Sequence, residues 1–379
     1  MKKMLLIIIA ILSVSTAASA ASFNIDERKE ENLSGIQKIV FELKSPACAI
    51  CISTGSQSYS FAGKGRSEKL SLVLEGDLKS NNKQAVPSLI TRKNGDVLFV
   101  RLYEENSLFF GLIQSGSVYF SAELPEYFDG KIEIRTSSGD SVVTDIKSKS
   151  LLIDSSSGDN DIVRIEAENI DISASSGDIT GEELSAVRDI RVKASSGDIS
   201  LNEVLSNNAE VRASSGRINI GRLRAAGDLI IHASSGRIEA EYLEGSSALI
   251  DANSGRITIE ELIAEKAGVK ASSGDITVSA LSAGSADFEA SSGETTILAT
   301  GFNGDINIKS SSGDVTLSLP SGSAFSANLN ASSGKIRSDF RLLTEVNGDK
   351  KNEIRGEANG GGYSVRIKAS SGDITIKER

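Results

Sequence analysis

The 379-residue sequence predicts an all-β chain, a stacked β-solenoid preceded by a small β-rich capping region. Three observations predict it. A Ser-Ser-Gly signature returns every 19 to 21 residues, apolar residues alternate on both sides of it, and no helix-period pattern of useful length interrupts the series.

The turn glycines are Gly139, Gly158, Gly177, Gly197, Gly216, Gly236, Gly255, Gly274, Gly293, Gly313, Gly334 and Gly372. The last gap is 38 residues, two periods, which places an unmarked rung around Asn347 to Gly362. The expectation is about thirteen rungs, or a rod of roughly 58 Å at the spacing of paired strands. A β-propeller would need about 40 residues and four strands per blade, which a uniform short period disfavours.

Alignment on the glycine shows what each unit encodes. Three positions before it stand Ala174, Ala194, Ala213, Ala233, Ala252, Ala271, Ala290, Ala331 and Ala369, and five before it come Ile172, Val192, Val211, Ile231, Ile250, Val269, Phe288 and Ile308. Lys193, Arg212, Asp251, Lys270 and Glu289 fall between them, so one face of this strand is buried and the other wet. After the glycine the apolar positions shift to plus two (Ile179, Ile199, Ile218, Ile238, Ile257, Ile276) and plus seven (Leu184, Val204, Leu223, Leu243, Leu262, Leu281). That change of parity means the chain turns a corner at Ser-Ser-Gly, where glycine is free to take φ > 0. Each repeat therefore reads as strand, corner, strand, wider corner. The alanine column implies two sheets too close together to hold a ligand between them.

Three segments follow: a signal peptide at 1–20, a β-rich cap region at 21–135 and the repeat solenoid at 136–379. Lys2 and Lys3 precede an apolar run from Met4 to Val14 and then Ala18-Ser19-Ala20, the pattern of an export signal cleaved after Ala20. Eleven apolar residues are too few to span a bilayer, so the mature chain is expected to carry no transmembrane segment and to be periplasmic, surface-associated or extracellular. Residues 21–135 hold twelve of the eighteen Phe and Tyr residues, among them Phe99, Tyr103, Phe109, Phe110, Tyr119 and Phe120. Strands are expected over Ile36 to Leu43, Lys69 to Leu74, Val97 to Leu102 and Val118 to Leu124, covering the first open edge of the solenoid. The other end, Ile374 to Arg379, is itself strand-like and blunted only by charge, so edge-to-edge self-association through this C-terminal rung is one expectation.

With 41 basic and 51 acidic residues the formal charge is −10, and −12 once Lys2 and Lys3 are removed, which disfavours nucleic acid as a partner. Cys48 and Cys51 are the only thiols. Buried structural thiols and a local disulfide both stay open, but residues three apart on one strand face opposite ways, so a bond between them needs a turn. No histidine accompanies them to complete a zinc site.

The motif Ala-Ser-Ser-Gly-Asp-Ile at Ala174 to Ile179, Ala194 to Ile199, Ala271 to Ile276 and Ala369 to Ile374 resembles the bacterial adhesin-like family of β-strand repeats, a domain of largely unknown function in exported and envelope-associated proteins. The resemblance covers roughly 130 to 379 and rests on twelve Ser-Gly turns in one phase. It implies a solenoid with a role in adhesion or envelope sensing, and it supplies no catalytic residue.

The position after each glycine varies most: Asp140, Asp159, Asp178 and Asp198, then Arg217, Arg237 and Arg256, then Asp275, Glu294, Asp314, Lys335 and Asp373. Stacked, these form a banded column in which Asp198 can pair with Arg217, and Arg256 with Asp275. The first four aspartates admit a calcium ladder, although arginine at the same position means the fold itself requires no ion, and the bland reading is a solvated corner in which Asp accepts turn hydrogen bonds. Arg217, Arg237, Arg256, Asp275 and Asp314 are candidates for a partner-recognition surface.

No cofactor is implied and no singular acid/base pair stands out. The only histidine, His232, falls on the outward face, and there is no Trp, which leaves Tyr242 and Tyr363 as aromatic platforms in the repeats. The sequence thus reads as a non-catalytic, adhesin-like binding or structural protein of the cell envelope, facing a polysaccharide or protein partner. A self-assembling scaffold or an envelope-stress sensor are alternatives, and a β-helix polysaccharide-degrading enzyme a weaker one.

Overall fold

The period-two pattern of the repeat is the burial pattern of the structure. In the computed structural model, which describes residues 20–43, 48–54, 69–83, 86–103, 113–344 and 352–379, the column from Ile172 through Val192, Val211, Ile231, Ile250, Val269, Phe288 and Ile308 is at most 1% exposed. The plus-two column from Ile179 to Ile276 is fully buried as well. Each such Ile or Val contributes about 1.5–3 kcal/mol by leaving water. One stacked β-solenoid of about ten turns results, with 26 strands in one hydrogen-bonded system and no helix among the described residues. Strands pair in parallel register from rung to rung, as in Ile170↔Ile190 and Val192↔Val211, and the alanines at minus three stack upon one another from Ala174↔Ala194 up to Ala271↔Ala290, where Ser310 follows.

The corners keep this register. Ser175 N–H donates to the Ser155 carbonyl at 2.9 Å and Ser176 N–H to that of Ser156 at 3.1 Å, and the same pairs recur at Ser195, Ser214 and Ser234. Glycine is needed there for two different reasons. Gly139, Gly158, Gly274, Gly293, Gly313 and Gly372 have φ between 99° and 149°, where a side chain is strained. Gly177, Gly197, Gly216, Gly236 and Gly255 do not, but a Cβ on any of them would lie 1.7–1.9 Å from the carbonyl oxygen of the glycine one layer below. In the middle of the rod the close approach of layers, not positive φ, excludes a side chain.

Both ends of the rod depart from chain order. At the first end, Lys38–Leu43 lies parallel between Phe128–Thr136 and Val97–Arg101, and Cys48–Thr54 lies parallel between Ser141–Thr144 and Ile113–Leu124. Lys38–Leu43 and Cys48–Thr54 are thus inserted between two segments that follow each other in sequence. The stack is closed by antiparallel strands: Ile90–Asn94 on Val97–Arg101, and Lys69–Ser80 on Ile113–Leu124 with Ala21–Asn32 outside it. The four strands expected in this region all form, and Ala21–Asn32, Cys48–Thr54 and Ile90–Asn94 join them.

The far end repeats the device and corrects two expectations. Tyr363–Ser371 pairs in parallel with both Thr295–Ser312 and Phe325–Ala331, and Ile374–Glu378 with both Val315–Leu319 and Ile336–Ser338. The C-terminal rung is therefore an internal layer between those of Gly313 and Gly334, not the open edge that the sequence suggested. Nor does the 38-residue gap conceal a rung: Leu343–Thr344 and Glu353–Ala358 form antiparallel pairs that cap Phe325–Ala331. Ten regular intervals join the glycines from Gly139 to Gly334, which gives the ten turns in place of thirteen.

The export signal expected at 1–20 lies outside the described residues except for Ala20. Cys51 is a free, exposed thiol, and the turn that a bond to Cys48 requires is absent because Cys48–Thr54 is one strand.

Candidate functional site

Along the corner edge, the residue after each glycine forms the expected column, and its chemistry is largely structural. Oδ1 of Asp140 accepts the Asp159 amide at 3.0 Å, Asp159 that of Asp178 at 2.9 Å, Asp178 that of Asp198 at 2.8 Å, and Asp198 that of Arg217 at 2.7 Å. Asp275, Asp314 and Asp373 do the same for Glu294, Asp373 and Lys335. Aspartate is short enough to reach the amide directly above it, which explains its recurrence at this position. The ladder lapses at Arg237, Arg256 and Asp275, because the arginine beneath each offers no acceptor.

The four N-terminal aspartates thus stand one rung apart with an oxygen committed to backbone. No three His, Cys, Asp or Glu side chains converge to hold a metal ion among the described residues.

The three candidate arginines all have carboxylate partners. Arg217 Nη2 is 2.7 Å from Asp198 Oδ2, Arg237 Nη1 is 3.4 Å from Glu239, and Arg256 Nη2 is 3.0 Å from Asp275 Oδ2. The Arg217 backbone amide, then its guanidinium, hold the Asp198 carboxyl below its ordinary range. Asp373 is lowered in the same way by the Lys335 amide and the Arg337 side chain. His232 is half-buried on the outer face, Nδ1 3.2 Å from Asp251 Oδ2 and Nε2 3.2 Å from Ser234 Oγ, so both ring nitrogens are held by side chains of the repeat.

A second surface, beyond the corner, was not singled out in the sequence. Residues three and five places after the glycine line a shallow groove that crosses five consecutive rungs, from Thr180 and Glu182 through Asn202, Gly221 and Glu241 to Glu260. Glycine at 221 opens it, where neighbouring rungs carry Asn202 and Glu241 on the outer face. Beside it a smaller recess holds Arg222, Tyr242 and Glu261. Arg222 and Arg224 stand 5.5 and 5.3 Å from the centre of the Tyr242 ring, whose hydroxyl donates to Glu244 at 2.7 Å. That ring is engaged by protein cations. The exposed Tyr363 packs its ring edge-on to Phe302. The cue in the sequence was Gly221 at a position where the neighbouring rungs carry Glu182, Asn202, Glu241 and Glu260, which says where a side chain is missing and nothing of what surrounds the gap.

Fold and surface together define a stacked all-β solenoid with a polar, repetitive exterior. The chain belongs to the Toastrack DUF4097 family, whose model matches residues 50–248 and again 210–377. The two overlapping matches follow from the internal repeat. No curated protein matches the chain. Among solved structures it is similar to a protein provisionally named for cell adhesion from Clostridium sporogenes, at 11% identity and a TM-score of 0.25 over 94% of this chain and 100% of that one. It is also similar to a provisionally named adhesin from Parabacteroides merdae, at 10% identity and a TM-score of 0.29 over 77% and 95% of the two chains. A provisionally named lipid binding protein from Parabacteroides distasonis gives 14% identity and a TM-score of 0.30 over 75% and 96%. Overlaps this low say nothing about what this chain binds.

Proposed function

We propose that this is a non-catalytic, exported protein of the cell envelope that binds an extended partner, a polysaccharide or a protein segment, along its rod. The observation that carries the reading is the groove across five rungs. Four rung spacings make it about 19 Å long, enough for about six residues of extended peptide or a comparable stretch of glycan. Glu182, Glu241 and Glu260 line it, so a neutral or cationic partner suits it better than an anionic one. An anionic ligand at the corner edge would have to displace the carboxylates already on Arg217, Arg237 and Arg256. Export rests on the leader pattern at Lys2 to Ala20.

The test is binding of the purified mature chain to isolated envelope polysaccharide and to envelope protein, compared with the triple variant Glu182→Lys, Glu241→Lys, Glu260→Lys. The proposal expects binding to one of them that the triple variant weakens about tenfold or more. Equal binding by both chains would remove the groove from the account.

A further inference from the structure

We propose that the C-terminal rung is exchangeable between copies of this chain: the slot between the Gly313 and Gly334 layers accepts residues 363–379 of a second copy.

The slot is defined on both sides. Ile306, Ile308 and Ser310 face Val365, Ile367 and Ala369 from one layer, and Ala327, Leu329 and Ala331 face the same residues from the other. Past the corner, Val315 and Leu317 on one side and Ile336 and Ser338 on the other hold Ile374 and Ile376. At the corner the fit is restrictive. A Cβ on Gly372 would meet the Gly313 carbonyl oxygen at 2.2 Å, and one on Gly334 would meet that of Gly372 at 1.9 Å. Asp314 accepts the Asp373 amide at 2.8 Å, and Asp373 in turn accepts the Lys335 amide and an Arg337 N–H, each at 2.9 Å. The occupant must therefore present alternating apolar residues, then Ala-Ser-Ser-Gly-Asp, then Ile-x-Ile. A second copy of this chain carries that sequence.

This rung can leave without unwinding the coil. The chain passes from Thr295–Ser312 through Val315–Leu319 to Phe325–Ala331 before it is formed, and 363–379 enters between those layers afterwards, from the cap strands. Its tether is Asn359-Gly360-Gly361-Gly362, with left-handed φ of 51°, 90° and 79° at the first three residues, a connection that bears almost no side chain. Exchange of an identical element keeps every pairing and changes only which chain supplies it, so its cost is confined to opening and to lost translational freedom.

The test uses full-length chains with Cys48 and Cys51 replaced by serine and one new cysteine each, Ser312→Cys or Ser371→Cys. Both serines are exposed and are register partners on adjacent strands, a spacing that admits a disulfide. Neither variant can form the bond within its own chain. The two are mixed, unfolded, refolded together at increasing concentration and oxidised. Ser312→Cys mixed with Ser176→Cys, on a distant corner, measures random collision. The expected result is a disulfide-linked heterodimer about tenfold or more above that control, rising with concentration. Heterodimer at the control level throughout would overturn the proposal, and so would monomer alone when the unmodified chain is refolded in the same series.

Discussion

The middle of the rod and its two ends are built from the same kind of strand but by different rules. Between Gly158 and Gly313 the layers directly above and below each rung are its neighbours in sequence, so one repeat specifies its own surroundings. At each end segments from far along the chain enter between two consecutive ones, 38–43 and 48–54 at one end and 363–379 at the other, and antiparallel strands then lie on the outer layer, at the far end over Phe325–Ala331. The difference teaches how a solenoid stops. A regular rung leaves an edge for the next, and here strands running the opposite way lie on that edge at both ends.

The largest expected effect lies in the middle. Gly216→Ala leaves backbone conformation unstrained but drives a Cβ to 1.8 Å from the Gly197 carbonyl, and is expected to cost about 3 kcal/mol in thermal or denaturant unfolding. Gly322→Ala, in the connection near the far end, is the counterpart: φ is +77° with open space around it, so only the left-handed penalty of about 1 kcal/mol applies. Equal losses at the two sites would break the distinction between layer contact and backbone conformation.

Thr295 offers a change of opposite sign. It occupies the plus-two position where the rungs on either side carry Ile276 and Val315, is fully buried, and its hydroxyl has no hydrogen-bond partner. Thr295→Val keeps the shape, removes an unpaired hydroxyl and is expected to raise stability by about 1 kcal/mol. A loss on the same melting measurement would mean that the hydroxyl is satisfied.

The smallest effect is acid sensitivity of the corner ladder. The carboxyl of Asp198 is held below its ordinary value by the Arg217 amide and guanidinium, as that of Asp145 is by the Arg164 guanidinium. A lowered folded value means the contribution is complete above the unfolded pKa, near pH 4, and is lost as pH falls through the folded value. Melting between pH 5 and pH 2 should therefore fall less steeply for Asp198→Asn than for the unaltered chain. Parallel curves would separate this carboxylate from stability.

Much of the middle was legible from the sequence. Ile172, Val192 and Ile231 sit in the core that the period assigned them, and Asp198 with Arg217 and Arg256 with Asp275 pair as stacking predicts. The ends were not, because the rung at Ala369 to Ile374 carries the same signature as every other, and a signature that fits any layer cannot say which layer it joins. The gap around 347–362 read as a rung for the same reason: spacing counts residues, while the antiparallel turn of Glu353–Ala358 is a property of direction. The groove escaped notice because its residues belong to five separate repeats that meet only once stacked.

The layer order at the far end is tested most directly by disulfide formation within single chains, in a background free of Cys48 and Cys51. Ser312 faces Ser371 across one strand spacing, while Ser333 lies in the layer beyond. The Ser312→Cys, Ser371→Cys chain should close its disulfide in the monomer, and the Ser312→Cys, Ser333→Cys chain should keep two free thiols, because two spacings of about 4.8 Å exceed the reach of the bond. A disulfide closed within the monomer of the Ser312→Cys, Ser333→Cys chain would place the Gly334 layer directly on the Gly313 layer and contradict the inserted rung.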